Sequence, residues 1–123
     1  MPLIACGQGA TAAIKKFQEL LGIYLPPATR GAIGEANLRA VQLPLVLVSP
    51  YEHHSNELSF REGLCDYLRV PLSEGGEIDL IALERILKLN ASRRIIGSFS
   101  AASNVTGIIS DYKKISELIR AAG

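Results

Sequence analysis

The sequence carries almost no net charge, has few cysteines and has no long apolar run. Thirteen basic and twelve acidic side chains leave a formal charge of +1, which argues against nucleic acid or an anionic membrane as the main partner. No apolar run is long enough to span a bilayer, and we expect no signal peptide. Cys6 and Cys65 are the only cysteines, so we expect reduced thiols and a cytoplasmic location.

Strand-like and helix-like segments alternate along the chain. With 48% apolar residues among 123, we expect one core and a single domain over residues 1–123. The hydrophobic patterns predict strands at 2–6, 43–48, 66–71 and 94–99, helices at 10–22, 57–64, 80–89 and 111–122, and a long loop at 24–40. Asp79 and Asp111 are the expected N-caps of the last two helices. This alternation is typical of an α/β fold with a mostly parallel sheet and flanking helices.

Three loops that follow predicted strands are rich in Gly, Ser, Thr, Asn or His. They cover residues 7–11, 51–56 and 98–107. Ligands of open parallel sheets bind at the carboxyl ends of the strands. The sequence therefore predicts a small-molecule site where these loops meet.

The first loop has Gly7 and Gly9 ahead of a helix. Such a turn lets backbone amides and a helix N-terminus approach a phosphate. The loop is neither a P-loop, since no Gly-Lys-Ser/Thr follows, nor the dinucleotide fingerprint, which needs a third glycine. A plain strand-to-helix turn explains the same glycines, so both interpretations stay open.

His53 and His54 are the only histidines of the chain and follow a buried-looking strand. The chain has neither HExxH spacing nor a cysteine cluster, so we predict no metal site. An imidazole can stack on a flat ring, although two exposed loop histidines are also common. Asn104 in the third loop has an amide for a ligand oxygen, or it serves only as a turn residue before a helix.

Four segments together resemble the class V aminotransferases, in the branch of the cysteine desulfurases and selenocysteine lyase-like proteins. They read GQGATAAIKKF, PYEHHSNEL, GEIDLIALERIL and IIGSFSAASNVTGIISD. The resemblance covers nearly the whole chain, in order. It implies part of the large domain of a fold type I transferase whose cofactor is pyridoxal 5'-phosphate (PLP).

The resemblance also implies roles for individual positions. Ala10 and Thr11 match the segment that contacts the cofactor phosphate. His53 matches the histidine that stacks on the pyridine ring, and Asn104 matches the asparagine near the phenolic oxygen. His54 belongs to the same motif without an assigned role. The chain departs from the family at two positions. Relatives usually carry Ser or Thr in place of Gln8, and Asn in place of Lys15.

Two catalytic residues of the family have no counterpart in this chain. The aspartate that pairs with the pyridine nitrogen and the Schiff-base lysine would both lie after Gly123. We therefore expect no catalytic residue here and no turnover by the chain alone, while binding of PLP or phosphate stays open. The alternative is a non-catalytic module that binds a small ligand or another protein. An apolar stripe on helix 10–22 and an unpaired sheet edge lead us to expect self-association.

Overall fold

A three-stranded parallel sheet lies between helices in this computed structural model, which describes residues 5–38 and 42–123. The strands are β1 (Leu45–Val48), β2 (Asp66–Arg69) and β3 (Ile95–Ser98). The helices are α1 (Gly9–Leu21), α2 (Pro27–Ile33), α3 (Glu35–Leu38), α4 (His54–Arg61), α5 (Leu80–Leu89) and α6 (Tyr112–Ala121). The predicted α/β fold is confirmed. In the described part of the chain, no helix has the length and apolar character needed to cross a membrane.

The central strand is β1, and all four of its residues are buried. The strand order is β2-β1-β3, and Leu45 pairs with Asp66 on one side and Ile95 on the other. Successive side chains of a strand point to opposite faces. The unbroken apolar run of β1 is therefore the pattern expected of a strand that is covered on both faces.

Each face of the sheet has its own hydrophobic core. Leu45 and Leu47 point to the face covered by α5 and α6, where Leu83 and Ile115 are buried. The opposite core contains Val46, Val48, Ile23 and Phe60, with Ile14 and Leu21 of α1 packed against it. Helix α4, which contributes Phe60, also packs against α1. The helices before and after β2 thus lie on opposite faces.

Side-chain caps fix the starts of three helices. Asp79 Oδ1 accepts from the amides of Ile81 and Ala82, at 2.9 Å each, and Asp111 Oδ1 accepts from the Lys114 amide at 3.0 Å. Both predicted N-caps are confirmed. Helix α4 begins three residues earlier than predicted, at His54 rather than Glu57, because an N-cap precedes it there.

The predicted loop at 24–40 is wrong over most of its length, since α2 and α3 occupy it. Pro27 is the first residue of α2, a position where its missing amide hydrogen costs nothing. Gly34 ends α2 with φ of 80°. The Arg30 guanidinium donates to the carbonyl oxygens of Glu62 and Gly63, at 2.7 and 3.1 Å, and anchors α2 to the end of α4. Residues 39 and 40 lie outside the described residues.

The N-terminal predictions have mixed outcomes. Of the predicted strand 2–6, residues 2–4 lie outside the described part, and Ala5 and Cys6 have no regular secondary structure. Helix α1 forms as predicted, but its apolar stripe is only partly covered. Phe17 and Leu20 are 45% and 63% exposed, while the polar Gln18 is buried.

Candidate functional site

A cleft of about 480 Å³ opens at the carboxyl ends of β1 and β3. The chain leaves β1 for α4 on one face of the sheet, and it leaves β3 for α6 on the other face. The two loops therefore diverge, which is the arrangement that creates a ligand crevice in open α/β sheets. The cleft is lined by residues 51–54 from one loop and residues 103–106 from the other.

The structure brings together three of the five residues that the sequence singled out. His53 and His54 line one wall of the cleft, and Asn104 lines the other. Ala10 and Thr11 are not among the lining residues. They are exposed in the first turn of α1.

His53 serves as the N-cap of α4. Its Nδ1 accepts from the Ser55 amide at 3.2 Å and lies 2.8 Å from the Ser55 hydroxyl. Because Nδ1 is held by the helix, the rest of the ring is left for a ligand. The ring is exposed and does not stack on His54, since the ring centroids are 6.4 Å apart with the planes tilted by 48°.

Asn104 lies in a turn held by the hydroxyl of Ser103. That oxygen accepts from the amides of Val105 and Thr106, at 3.3 and 3.2 Å. The Gly107 amide also donates to the Ser103 carbonyl at 3.0 Å, and Gly107 has φ of 74°. Ser103 is buried while Asn104 is exposed. The turn therefore presents the Asn104 amide at the cleft on an anchored backbone.

The residue that sequence reasoning missed is Glu52, whose carboxylate lies between the two loops. Its Oε1 accepts from the amide and hydroxyl of Ser49, at 3.2 and 2.5 Å, and from the Ser100 amide at 2.7 Å. Its Oε2 accepts from the Ser100 hydroxyl at 2.6 Å and from Asn56 Nδ2 at 2.9 Å. The carboxylate thus joins the end of β1, the start of α4 and the segment after β3.

Two further side chains extend this network. Asn56 Nδ2 donates to the Ser98 carbonyl at 3.1 Å, and Asn56 Oδ1 accepts from the Ser98 hydroxyl at 2.7 Å. Ser110 donates its hydroxyl to the Ser100 carbonyl at 2.6 Å and lies 2.9 Å from the Tyr51 hydroxyl. The sequence gives only a weak indication of this network. Glu52 and Asn56 are four residues apart, and serines recur after the last strand.

The N-terminus of α1 has the features of an anion site, although it does not line the cleft. Gln8 is its N-cap but makes no side-chain capping bond, and the first turn has no acidic residue. Its amides are therefore not satisfied by a side-chain cap. Gly7 has φ of 56°, and a Cβ there would lie 2.2 Å from the Cβ of Ala12. Only glycine therefore fits at this turn.

The described residues provide neither a metal-binding cluster nor a reactive thiol at the cleft. Within residues 5–38 and 42–123, no group of three or more His, Cys, Asp or Glu side chains could hold a metal ion. Burial raises the pKa of the Cys65 thiol to about 11. Its Sγ donates to the Phe60 carbonyl at 3.0 Å, on the α4 side of the sheet.

Comparison with known proteins finds similarity in structure rather than in sequence. No protein-family model matches the chain, and no curated protein does. Among solved structures, mouse CSAD matches with a TM-score of 0.57 and 18% sequence identity, over 89% of this chain and 22% of the CSAD chain. The chain therefore spans just over a fifth of the length of that protein. Identity this low shows a shared fold alone. The sheet and its flanking helices match part of the fold of that protein, which confirms the predicted α/β fold class.

Proposed function

We propose that this chain forms part of the cofactor pocket of a PLP-dependent fold type I enzyme, in the class V branch that its motifs resemble. The observation that carries the proposal is the cleft between β1 and β3, where His53 and Asn104 line opposite walls. Its volume of about 480 Å³ lies within the range of small-molecule sites. In this proposal the protein is cytoplasmic, because Cys6 and Cys65 are both unpaired.

The chemistry of the residues present fits the cofactor. The imidazole of His53 is exposed and fixed by its bond to Ser55, so it can pack against a flat pyridine ring. The amide of Asn104 supplies a hydrogen-bond donor for a ring oxygen. The amides at the start of α1, around Ala10 and Thr11, suit a phosphate, although they do not line the cleft. When bound in such enzymes, PLP supplies an electron sink for carbanion chemistry.

We propose binding without turnover for the chain alone. The side chains at the cleft are His53, His54, Asn104, Val105 and neighbouring hydroxyl and carboxyl groups, and no lysine is among the residues that line it. These residues can bind a pyridine ring and orient it.

The test is a titration with pyridoxamine 5'-phosphate, which has no aldehyde and therefore forms no adduct with surface lysines. His53→Asn is the informative variant, because asparagine is also a good N-cap and keeps α4 in place while removing the ring. Stacking on an aromatic ring contributes about 0.5–1.5 kcal/mol, so we expect roughly 2- to 12-fold weaker binding by fluorescence titration.

His54→Asn is the matched control, because it removes the adjacent ring, whose role the motif does not define. We expect it to bind more tightly than His53→Asn. Equal affinity of His53→Asn and the parent chain would contradict the stacking role. If the parent chain shows no saturable binding that inorganic phosphate competes with, the cofactor-pocket proposal is wrong.

A second candidate function is favoured by the exposed apolar side chains of α1. Phe17 and Leu20 face solvent on the helix that covers one core. Single exposed apolar residues are normal, whereas apolar residues that form one contiguous exposed patch mark a contact surface. We propose that this face mediates self-association, so that the chain serves as an interaction module as well as a pocket wall.

A further inference from the structure

We propose that Glu52 is a positioning residue, which holds the His53 wall and the Asn104 wall of the cleft at a fixed separation. The inference rests on the proposed cofactor pocket and explains how its two walls are kept in register. His53 follows Glu52 directly in the chain, whereas Asn104 belongs to a loop that begins after β3. Covalent structure alone does not fix the distance between them.

The hydrogen bonds of the carboxylate join the two walls. On the His53 side it accepts from Ser49, at 3.2 Å from the amide and 2.5 Å from the hydroxyl, and from Asn56 at 2.9 Å. On the Asn104 side it accepts from the Ser100 amide at 2.7 Å and from the Ser100 hydroxyl at 2.6 Å. The Ser100 contacts bridge 48 positions in sequence.

The effect reaches Asn104 through the backbone of its loop. The Ser100 carbonyl accepts from the Ser110 hydroxyl at 2.6 Å, and the Ser110 amide donates to the Ala101 carbonyl at 2.9 Å. The Ser103 amide donates to Ile108 at 2.8 Å, which closes the loop around Asn104. Both ends of the loop are thereby fixed to the segment that Glu52 holds.

A carboxylate is the group that suits this position, because every partner of Glu52 supplies a donor. Ionised carboxylates only accept hydrogen bonds, and they have about four lone-pair sites. The amide of glutamine has the same shape but places two N–H donors where one oxygen stood. The Ser100 amide and Asn56 Nδ2 cannot turn into acceptors, so Glu52→Gln loses either the bond from the Ser100 amide or the bond from Asn56, depending on which way the new amide turns.

Weakening of this hydrogen-bond network is expected to weaken ligand binding more than it weakens the fold. Binding sites hold their contacting groups within about 0.5 Å of the productive geometry, and ligands lose affinity when binding must first order the site. We expect Glu52→Gln to bind pyridoxamine 5'-phosphate roughly tenfold more weakly. The ring signal of His53 in NMR spectra should also broaden or shift, although the substitution leaves His53 itself unchanged.

The experiment compares the parent chain, Glu52→Gln and Leu87→Val at a temperature where all three are folded by circular dichroism. Leu87 is a residue of α5 whose side chain is buried in the core, outside the cleft. Its truncation lowers stability through lost packing alone. Weaker binding by Glu52→Gln, with parent-like binding by Leu87→Val, supports the positioning role. If Glu52→Gln fails to fold, Ser100→Ala removes one bridging hydroxyl and should show a smaller loss in the same direction.

Two results would overturn the inference while leaving the cofactor pocket intact. One is an affinity of Glu52→Gln within twofold of the parent chain. The other is an equal loss of affinity in Leu87→Val, which would mean that general stability controls binding. If the parent chain itself does not bind pyridoxamine 5'-phosphate, the pocket proposal fails, and the role of Glu52 in it fails with it.

Discussion

Asn56→Asp is the substitution that most directly measures the polar network under the cleft. Asn56 is 9% exposed, and its Nδ2 donates to Glu52 Oε2 at 2.9 Å and to the Ser98 carbonyl at 3.1 Å. Aspartate keeps the shape but turns the donor into an oxygen that faces two other acceptors. A net hydrogen bond contributes about 1 kcal/mol, and one to a charged group about 1.5–3 kcal/mol. We therefore expect a loss of roughly 3 kcal/mol in the free energy of unfolding near pH 7.

The loss should depend on pH in a defined direction. Protonating the introduced carboxyl gives it one O–H donor, which can replace part of the missing amide. The deficit relative to the parent chain should therefore shrink as the pH falls from 7 towards 4. Urea unfolding followed by far-UV circular dichroism at several pH values gives the free energies by linear extrapolation.

Asn104→Asp is the matched control, because it makes the same chemical change at an exposed position. We expect its effect to stay within about 0.5 kcal/mol, as is usual for surface substitutions. A deficit of that small size in Asn56→Asp, or one that does not change with pH, would refute the network. In the double variant with Glu52→Gln, the glutamine amide can donate to the new carboxylate, so the two losses should not add.

Two further predictions concern parts of the chain outside the network. Cys65 should react with iodoacetamide at pH 8.5 roughly 100-fold more slowly than an exposed thiol of ordinary pKa, because a pKa of about 11 leaves little of the thiol as thiolate. Mass analysis of the labelled peptide measures the rate. Rapid labelling of Cys65 in the folded chain would contradict its burial. Leu20→Lys should reduce self-association in sedimentation velocity, because it places a charge on the exposed face of α1. Ile81→Lys, on the exposed face of α5, is the control and should leave self-association unchanged. Parent-like sedimentation of Leu20→Lys, or a monomeric parent chain, would rule out the α1 contact.

Sequence patterns predicted well those elements whose signals are local. Four consecutive apolar residues predicted a buried strand, and the structure shows that β1 is buried on both faces. Asp79 and Asp111 predicted helix starts because the capping bond reaches only two or three residues along the chain. The histidine and asparagine loops were expected to meet, since carboxyl ends of parallel strands share one edge of the sheet.

The misses arose where a local signal has two meanings or where the contact is distant. Pro27 and Gly34 marked a loop in the prediction, but they are the first residue and the C-cap of α2. Gln18 is a polar residue that is nevertheless buried, and its burial depends on the tertiary packing. Glu52 looked like one more loop carboxylate, because its Ser100 partner lies 48 positions away. Neither propensity nor periodicity reports contacts at that range.

The sheet register also sets the order in which the cleft can come into being on the ribosome. Leu45 pairs with Asp66, whereas its other partner, Ile95, is synthesised much later. The β1–β2 pair can therefore form while β3 is still inside the exit tunnel, and the loop with His53 emerges without its opposite wall. Long-range pairing of this kind forms late, because a large loop must close first. The nascent chain thus passes through a stage in which the His53 loop has formed without its opposite wall, and the cleft is complete only after the serines that follow β3 have left the tunnel.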